Sequence, residues 1–270
     1  MAAFLRELEV CQLIARSAGE LALGYWDKGI AFEEKADESP VTVADRESER
    51  LIARLVEEHF PGDGLLGEEG SRKESASGRR WIIDPIDGTR DFVRGNPLWA
   101  VLIGFEASGE VEAGIAYLPA MNLMFRAARG AGAWCNDKVI HASTIDRPAE
   151  AVFCMDRIHA IKELSFAPQF VDWISQFWAV RSLGGAWDAM LVARGQADLW
   201  MEPEAKPWDL APLKVIAEEA GARFFNFDGR SSINGGNCVI STPGLEVEAR
   251  RLLGLTPLRG ENRPDLAETL

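Results

Sequence analysis

The 270-residue sequence is poor in cysteine, histidine and tyrosine, with 4, 3 and 2 of each. No two of Cys11, Cys135, Cys154 and Cys238 stand in CxxC spacing. Scattered thiols of this kind read as inert side chains in a reducing cytosol. His59, His141 and His159 are far apart and belong to no catalytic motif. No serine or cysteine sits in a GxSxG elbow, and no GxxxxGK[ST] or GxGxxG opens a helix after a strand. Positive charge is also short: 29 Lys and Arg against 42 Asp and Glu give a net charge of −13. That balance argues against nucleic acid or an anionic membrane as the main partner. No apolar run is long enough to span a bilayer. The N-terminus lacks a basic segment followed by an apolar one, so a soluble, cytoplasmic protein is expected.

What is present is a 47% hydrophobic chain, enough for a sizeable core. Apolar spacing predicts helices over 4–26 and 45–60, with 28–44 a polar hairpin or mobile loop. Leu65-Leu66 reads as a short strand and 71–79 as a polar loop. Strands are predicted at 81–84, 98–106, 110–118, 122–128 and 151–155, and a helical stretch over 160–176. An alternation follows: strand 178–182, helix 185–194, strand 197–202, helix 209–220, strands 222–226 and 237–241, and helix 244–253. The expectation is a layered α+β fold forming one domain over 1–255, with halves 1–145 and 146–255, and a polar tail over 256–270.

The most informative stretch is Trp81-Ile82-Ile83-Asp84-Pro85-Ile86-Asp87-Gly88-Thr89. A β-rich run ends in two carboxylates three residues apart, stiffened by Pro85. Asp84, Asp87 and the Ile86 carbonyl can share two hard cations, as in two-metal phosphatases. Oxygen donors select Mg²⁺ or Mn²⁺. Gly88-Thr89 then turn the chain towards a helix N-terminus, which suits a phosphate. The acidic surface opposes an anionic substrate, and bound divalent metal would reverse the local sign.

Three further segments can supply the site. Gly67-Glu68-Glu69-Gly70 follows a short strand, and its glycines permit close approach. Asp209 in Pro207-Trp208-Asp209-Leu210-Ala211 opens a helix, with Pro212 in its first turn. It reads either as a cap alone or as a cap that also coordinates. Asp45, at the end of Ser39-Pro40-Val41-Thr42-Val43-Ala44-Asp45, has the same two readings, and Lys35 precedes it. Trp99, Trp187, Trp200 and Trp208 are candidates to line the site.

Together these motifs resemble the inositol monophosphatase family of Mg²⁺-dependent, lithium-sensitive phosphatases, from Lys35 to about Leu253. The resemblance implies a five-layered αβαβα sandwich and a homodimer. It implies that Glu68, Asp84 and the Ile86 carbonyl hold one ion, that Asp84, Asp87 and Asp209 hold a second, and that Glu68 serves a third. Mn²⁺ would substitute for Mg²⁺, and Li⁺ would inhibit. Gly88 and Thr89 would bind phosphate, while Asp45, Glu68 and the Thr89 hydroxyl orient the attacking water, with Lys35 in a mobile loop nearby. Glu202 matches the position that contacts a substrate hydroxyl. Phe92-Val93-Arg94-Gly95-Asn96-Pro97-Leu98-Trp99-Ala100, Glu202-Pro203-Glu204 and Trp208-Asp209 resemble the histidinol-phosphatase branch, with Asp91 where asparagine is usual. The expected activity is hydrolysis of a small-molecule phosphate monoester, L-histidinol phosphate first. There Trp99 and Glu202 would take the cationic end. Inositol monophosphate is the alternative, and a non-catalytic regulatory relative a third.

Overall fold

The structure is a computed structural model that describes residues 4–28, 31–34 and 40–256. The chain begins α1 (Leu5–Trp26), β1 (Phe32–Glu34), β2 (Pro40–Thr42), α2 (Val43–His59), β3 (Gly64–Gly67), β4 (Arg72–Lys73), β5 (Arg79–Asp87) and α3 (Thr89–Arg94). A meander follows: β6 (Ala100–Ala107), β7 (Glu110–Leu118), β8 (Leu123–Ala128), β9 (Gly132–Cys135) and β10 (Lys138–Ile140). The remainder is β11 (Val152–Met155), α4 (Ala167–Ile174), β12 (Ala179–Arg181), α5 (Gly185–Ala193), β13 (Leu199–Glu202), α6 (Pro207–Glu219), β14 (Arg223–Phe225), β15 (Cys238–Ser241) and α7 (Glu246–Leu252).

Two sheets organise these elements. The first has eight strands in the order β10-β9-β8-β7-β6-β5-β3-β4, antiparallel except where β3 runs parallel to β5. The second has the order β12-β11-β13-β15-β14, with β11 parallel to both of its neighbours.

Side-chain alternation along β5 shows how the layers arise. Trp81 and Ile83 point to one face, where they join Ile14 of α1, Ile52 of α2 and Phe105. Ile82 points to the other face, into a core shared with Met190 of α5, Leu213 of α6 and Ile240 of β15. Beyond the second sheet, Phe153 and Leu199 pack on Phe170 and Trp173 of α4 and Leu252 of α7. Three cores, the middle one enclosing α5 and α6 between the two sheets, hold five layers together, helix, sheet, helix, sheet, helix, as expected. All four cysteines are buried and free. Among the described residues, no helix is long and apolar enough to cross a membrane.

Several local expectations change. The polar segment 71–79 contains β4, which adds an edge strand to the first sheet. Residues 132–140 add β9 and β10, two strands too short to declare a period of two. The stretch 160–176 divides into a 3-10 turn, Ile158–Glu163, and α4, whose first turn carries Pro168. Helix α6 starts at Pro207, so Asp209 is its third residue and Pro212 lies inside it. The polar segment before α2 forms the β1–β2 hairpin. Lys35 lies outside the described residues.

Candidate metal centre

The pairing of β5 with β6 runs Asp84 to Leu102 and then Asp87 to Ala100, so β5 carries one extra residue at Pro85–Ile86. Residues three apart on a regular strand face opposite sides. This bulge turns Asp87 back towards Asp84, a use of bulges common beside active sites. Pro85 fits there because a bulge asks no ladder N–H of it. The Ile86 N–H donates to Asp84 Oδ1 at 2.9 Å and fixes that carboxylate.

Two helices deliver further carboxylates by the same device. Asp209, third in α6, accepts the Lys206 N–H on Oδ2 at 2.7 Å. Asp45, third in α2, accepts the Thr42 N–H on Oδ2 at 2.7 Å and the Thr42 hydroxyl at 2.5 Å. Both close the start of their helix from its third position. Each keeps one oxygen free of that role. Capping and site-building are therefore compatible at both positions.

Carboxylate oxygens of Asp84, Asp87 and Asp209 all lie within 4.8 Å of one another. Glu68 stands beside them, near enough for its charge to raise the Asp84 carboxyl. Its backbone N–H donates to the Ile83 carbonyl at 3.2 Å. The Gly67–Gly70 turn is held by a residue that its own motif does not contain. Glu49 of α2, 2% exposed, accepts the N–H groups of Glu69 and Ser71, each at 2.7 Å. A Cβ on Gly67 would come within 2.5 Å of Glu49 Oε2, so only glycine fits. Asp87 Oδ2 also accepts the N–H of Ala186, in the first turn of α5, at 3.1 Å.

Crowding leaves these acids short of counter-charge. Burial, and then the charges of Glu68, Asp87 and Asp209, raise the Asp84 carboxyl well above the usual range. Burial and then Asp209 push Asp87 up to about 8. Burial, with Glu68 adding to it, pushes Asp209 up to about 7, against the opposing Lys206 N–H. Such a group can ionise fully only around a cation. Its all-oxygen donors fit a hard divalent metal.

Beside it lies an anion cradle. Gly88 has φ 82° and precedes α3, and a Cβ there would meet the Leu98 carbonyl oxygen at 3.1 Å. The first-turn N–H groups of α3 have no acceptor within the helix. The Thr89 hydroxyl reaches the Ile86 carbonyl at 3.2 Å and Asp45 Oδ1 at 3.4 Å.

A second group of charges faces this cluster. Parallel strands β11 and β13 pair Met155 with Met201, so Asp156 and Glu202 emerge together at their C-terminal ends. Crevices at such ends are where open α/β sheets bind ligands. Arg157 Nε stands 3.6 Å from Glu202 Oε1. Burial, then Asp156, raises the Glu202 carboxyl well above the usual range, and Arg157 opposes that. At Gly185, a Cβ would lie 3.6 Å from Asp156 Oδ2 and 3.7 Å from Asp87 Oδ1.

The expected residues Glu68, Asp84, Ile86, Asp87, Asp209, Asp45, Gly88 and Thr89 therefore gather in one place, with Glu202 facing them. Trp99 is placed differently. It is fully buried against Phe92 at 4.9 Å and Trp26 at 6.4 Å, so the expected substrate contact gives way to a core role. Trp200 is buried as well, and Trp187 and Trp208 pack partly buried against the central core. Asp156, Arg157 and Glu49 also stand at the site, although none of the sequence motifs contains them. For Asp156 a signal existed: like Asp84 and Glu202, it directly follows a short apolar run.

The inositol monophosphatase family profile matches residues 6–261. A histidinol-phosphatase from Chlorobaculum parvum is 38% identical over 238 residues, covering 87% of this chain and 91% of the relative. An inositol-1-monophosphatase from Mesorhizobium japonicum is 34% identical over 217 residues, covering 79% of this chain and 81% of its own. The crystal structure of the extragenic suppressor protein suhB from Bartonella henselae superposes with a TM-score of 0.84 at 26% identity, over 92% of this chain and 98% of that one. The chain belongs to the inositol monophosphatase family and is a phosphoric monoester hydrolase.

Proposed function

We propose that this chain is a Mg²⁺-dependent phosphatase of L-histidinol phosphate. The observation that carries the reading is the convergence of Asp84, Asp87 and Asp209 within 4.8 Å, with Asp156 and Glu202 facing them. Glu68, Asp84 and the Ile86 carbonyl would hold one ion. Asp84, Asp87 and Asp209 would hold a second, and Glu68 would serve a third. Mn²⁺ would substitute and Li⁺ would inhibit. When bound, the ions supply Lewis acidity and neutralise phosphate charge.

The chain's own groups do the rest. First-turn N–H groups of α3, starting with Gly88 and Thr89, hold phosphate oxygens. Thr89 Oγ1 lies 3.4 Å from Asp45 Oδ1, placed to orient the attacking water and pass its proton to Asp45. Thr42 fixes the other Asp45 oxygen, so the acceptor does not swing away. Glu68 is the second acceptor. Displacement at phosphorus is then direct and in line, with no covalent phosphoenzyme.

The leaving alcohol faces Glu202 and Asp156, and Asp91 adds a third carboxylate, 3.7 Å from where a Gly184 Cβ would lie. Such a surround favours an ammonium over a neutral polyol. Inositol monophosphate is the second reading, because Glu202 can also accept hydroxyl hydrogen bonds and Arg157 offsets part of its charge. Comparing kcat/KM for histidinol phosphate and inositol 1-phosphate with Mg²⁺ decides between them. Equal or better turnover of the inositol ester would reverse the ranking. Four buried thiols suit a reducing cytoplasm. The exposed apolar residues Trp178 and Val180 at the β12 edge suit a homodimer.

A further inference from the structure

Arg157 is one of few non-glycine residues in the left-handed region, with φ 47°. That conformation costs a side chain about 1–2 kcal/mol and is often found at functional sites. Here it follows directly from the strand end. Asp156 donates its N–H to the Met201 carbonyl at 3.3 Å, and its Oδ1 accepts the Arg157 N–H at 2.7 Å. The chain turns sharply there and brings the guanidinium back over β13. Nε stands 3.6 Å from Glu202 Oε1, and Nη1 stands 3.9 Å from Glu204 Oε2. Neither separation is a hydrogen bond, so the guanidinium is close but unlocked.

Exposure is asymmetric across this pair. The Glu202 side chain is 6% exposed, Arg157 39% and Glu204 57%. A buried carboxylate needs a cation, and the cation it has sits on the solvent side with loose contacts. A ligand ammonium entering the crevice could make the short, charge-assisted contact that the guanidinium does not make.

We propose that Arg157 is the specificity-determining residue of the leaving-group pocket, a displaceable counter-ion that holds the place of a substrate ammonium at Glu202. The inference rests on the reading of Glu202 as a leaving-group contact. It predicts that Arg157 competes with amine-bearing alcohols and not with neutral polyols.

The test uses two Mg²⁺-supported substrates, histidinol phosphate and inositol 1-phosphate, and the ratio of their kcat/KM values. R157Q is expected to raise the amine-to-polyol ratio roughly tenfold, the size of one charge-assisted contact. R157K, which keeps a cation, is expected to hold the parental ratio. E202Q is expected to lower the ratio, and R157Q in the E202Q background to add no further change. An unchanged ratio in R157Q overturns the proposal, as does the same rise without Glu202. Equal loss on both substrates would assign Arg157 to the phosphate or the fold, and overturns it too. The parental ratio separately tests the histidinol phosphate reading. A parent that prefers inositol phosphate rejects that reading, while the shift in R157Q still reports on Arg157.

Discussion

Gly104 of β6 faces Gly114 of β7 across the first sheet, and together they leave the slot in which α6 lies. A Cβ on Gly104 would come within 2.7 Å of the Ala211 Cβ, and one on Gly114 within 2.7 Å of the Pro212 Cα. Asp209 stands two residues before Ala211 on that helix. The approach of helix to sheet thus sets how near Asp209 comes to Asp84 and Asp87. Gly114→Ala is expected to cost about 1–3 kcal/mol by overpacking and to weaken metal binding. Thermal unfolding and Mg²⁺ titration calorimetry, run on the same preparation, check both effects. A destabilised variant with unchanged Mg²⁺ affinity would break the proposed link between slot and site.

Asp84 is shared between both proposed ion positions, and it is the most deeply buried of the cluster, at 2% exposed. Asp84→Asn retains its size and an acceptor for the Ile86 N–H but loses the charge. Supporting residues around metal sites are worth about 10–100-fold in affinity or activity, and a shared ligand should exceed that. Phosphate release is expected to fall more than about 100-fold, with Mg²⁺ binding lost by calorimetry. An unaltered rate would reject the assignment.

The parts of this site legible in the sequence were those written in adjacent residues. Trp81 to Thr89 place a strand end, two carboxylates and a cradle in nine letters, and Thr42 and Asp45 mark a helix start. The rest depended on distance in space. Glu49 holds a turn twenty residues further on, and nothing in its helix distinguishes it from a solvated glutamate. Gly104 and Gly114 matter only because α6 arrives from a hundred residues away. Trp99 misled for the converse reason: its neighbours belong to the site, and its side chain belongs to the core. The third to fifth layers were legible as alternating elements. The short strands β9 and β10 were not, because three or four residues carry too little pattern.

Asp63 ties three segments together beneath the first sheet. It accepts the Trp81 indole N–H at 2.9 Å and the Arg79 guanidinium at 2.9–3.2 Å, while Arg79 also reaches Glu7 of α1 at 2.9 Å. Asp63→Ala leaves a buried indole N–H and a half-buried guanidinium short of an acceptor. The expected loss is about 3 kcal/mol of stability, read as a lower denaturant midpoint with unchanged slope. A loss under about 0.5 kcal/mol would show that Glu7 alone suffices for Arg79.

Asp188 carries a pH dependence that lies outside the metal ligands. It is fully buried, and its Oδ2 accepts the N–H groups of Leu183 at 2.9 Å and Gly184 at 3.4 Å. Burial, opposed by those two N–H groups, pushes its carboxyl from 3.8 up to about 6. The folded chain therefore holds this proton more tightly than the unfolded chain. Its contribution to stability is whole below about 4 and is lost as pH rises through about 6. Asp188→Asn keeps an acceptor oxygen and removes the titration. With Mg²⁺ saturating, the variant should gain stability relative to the parent as pH rises from 4 to 7. Parallel curves for parent and variant across that range would reject the assignment.

Strand β12 forms one edge of the second sheet, and its surroundings are unusually apolar for a surface. Trp178, just before it, is 72% exposed, Val180 within it 38% and Leu183 just after it 42%. Edge strands expose unpaired backbone groups and are normally protected by charge or by a covering element. Here Trp178 and Val180 are uncovered, and this is the edge that the homodimer proposed above would cover. Trp178→Asp is expected to convert the protein from dimer to monomer in light scattering. The metal cluster lies on other elements and should retain its affinity for Mg²⁺. A parent that is monomeric at micromolar concentration would remove the dimer proposal, and an unchanged dimer in the variant would move the interface away from β12.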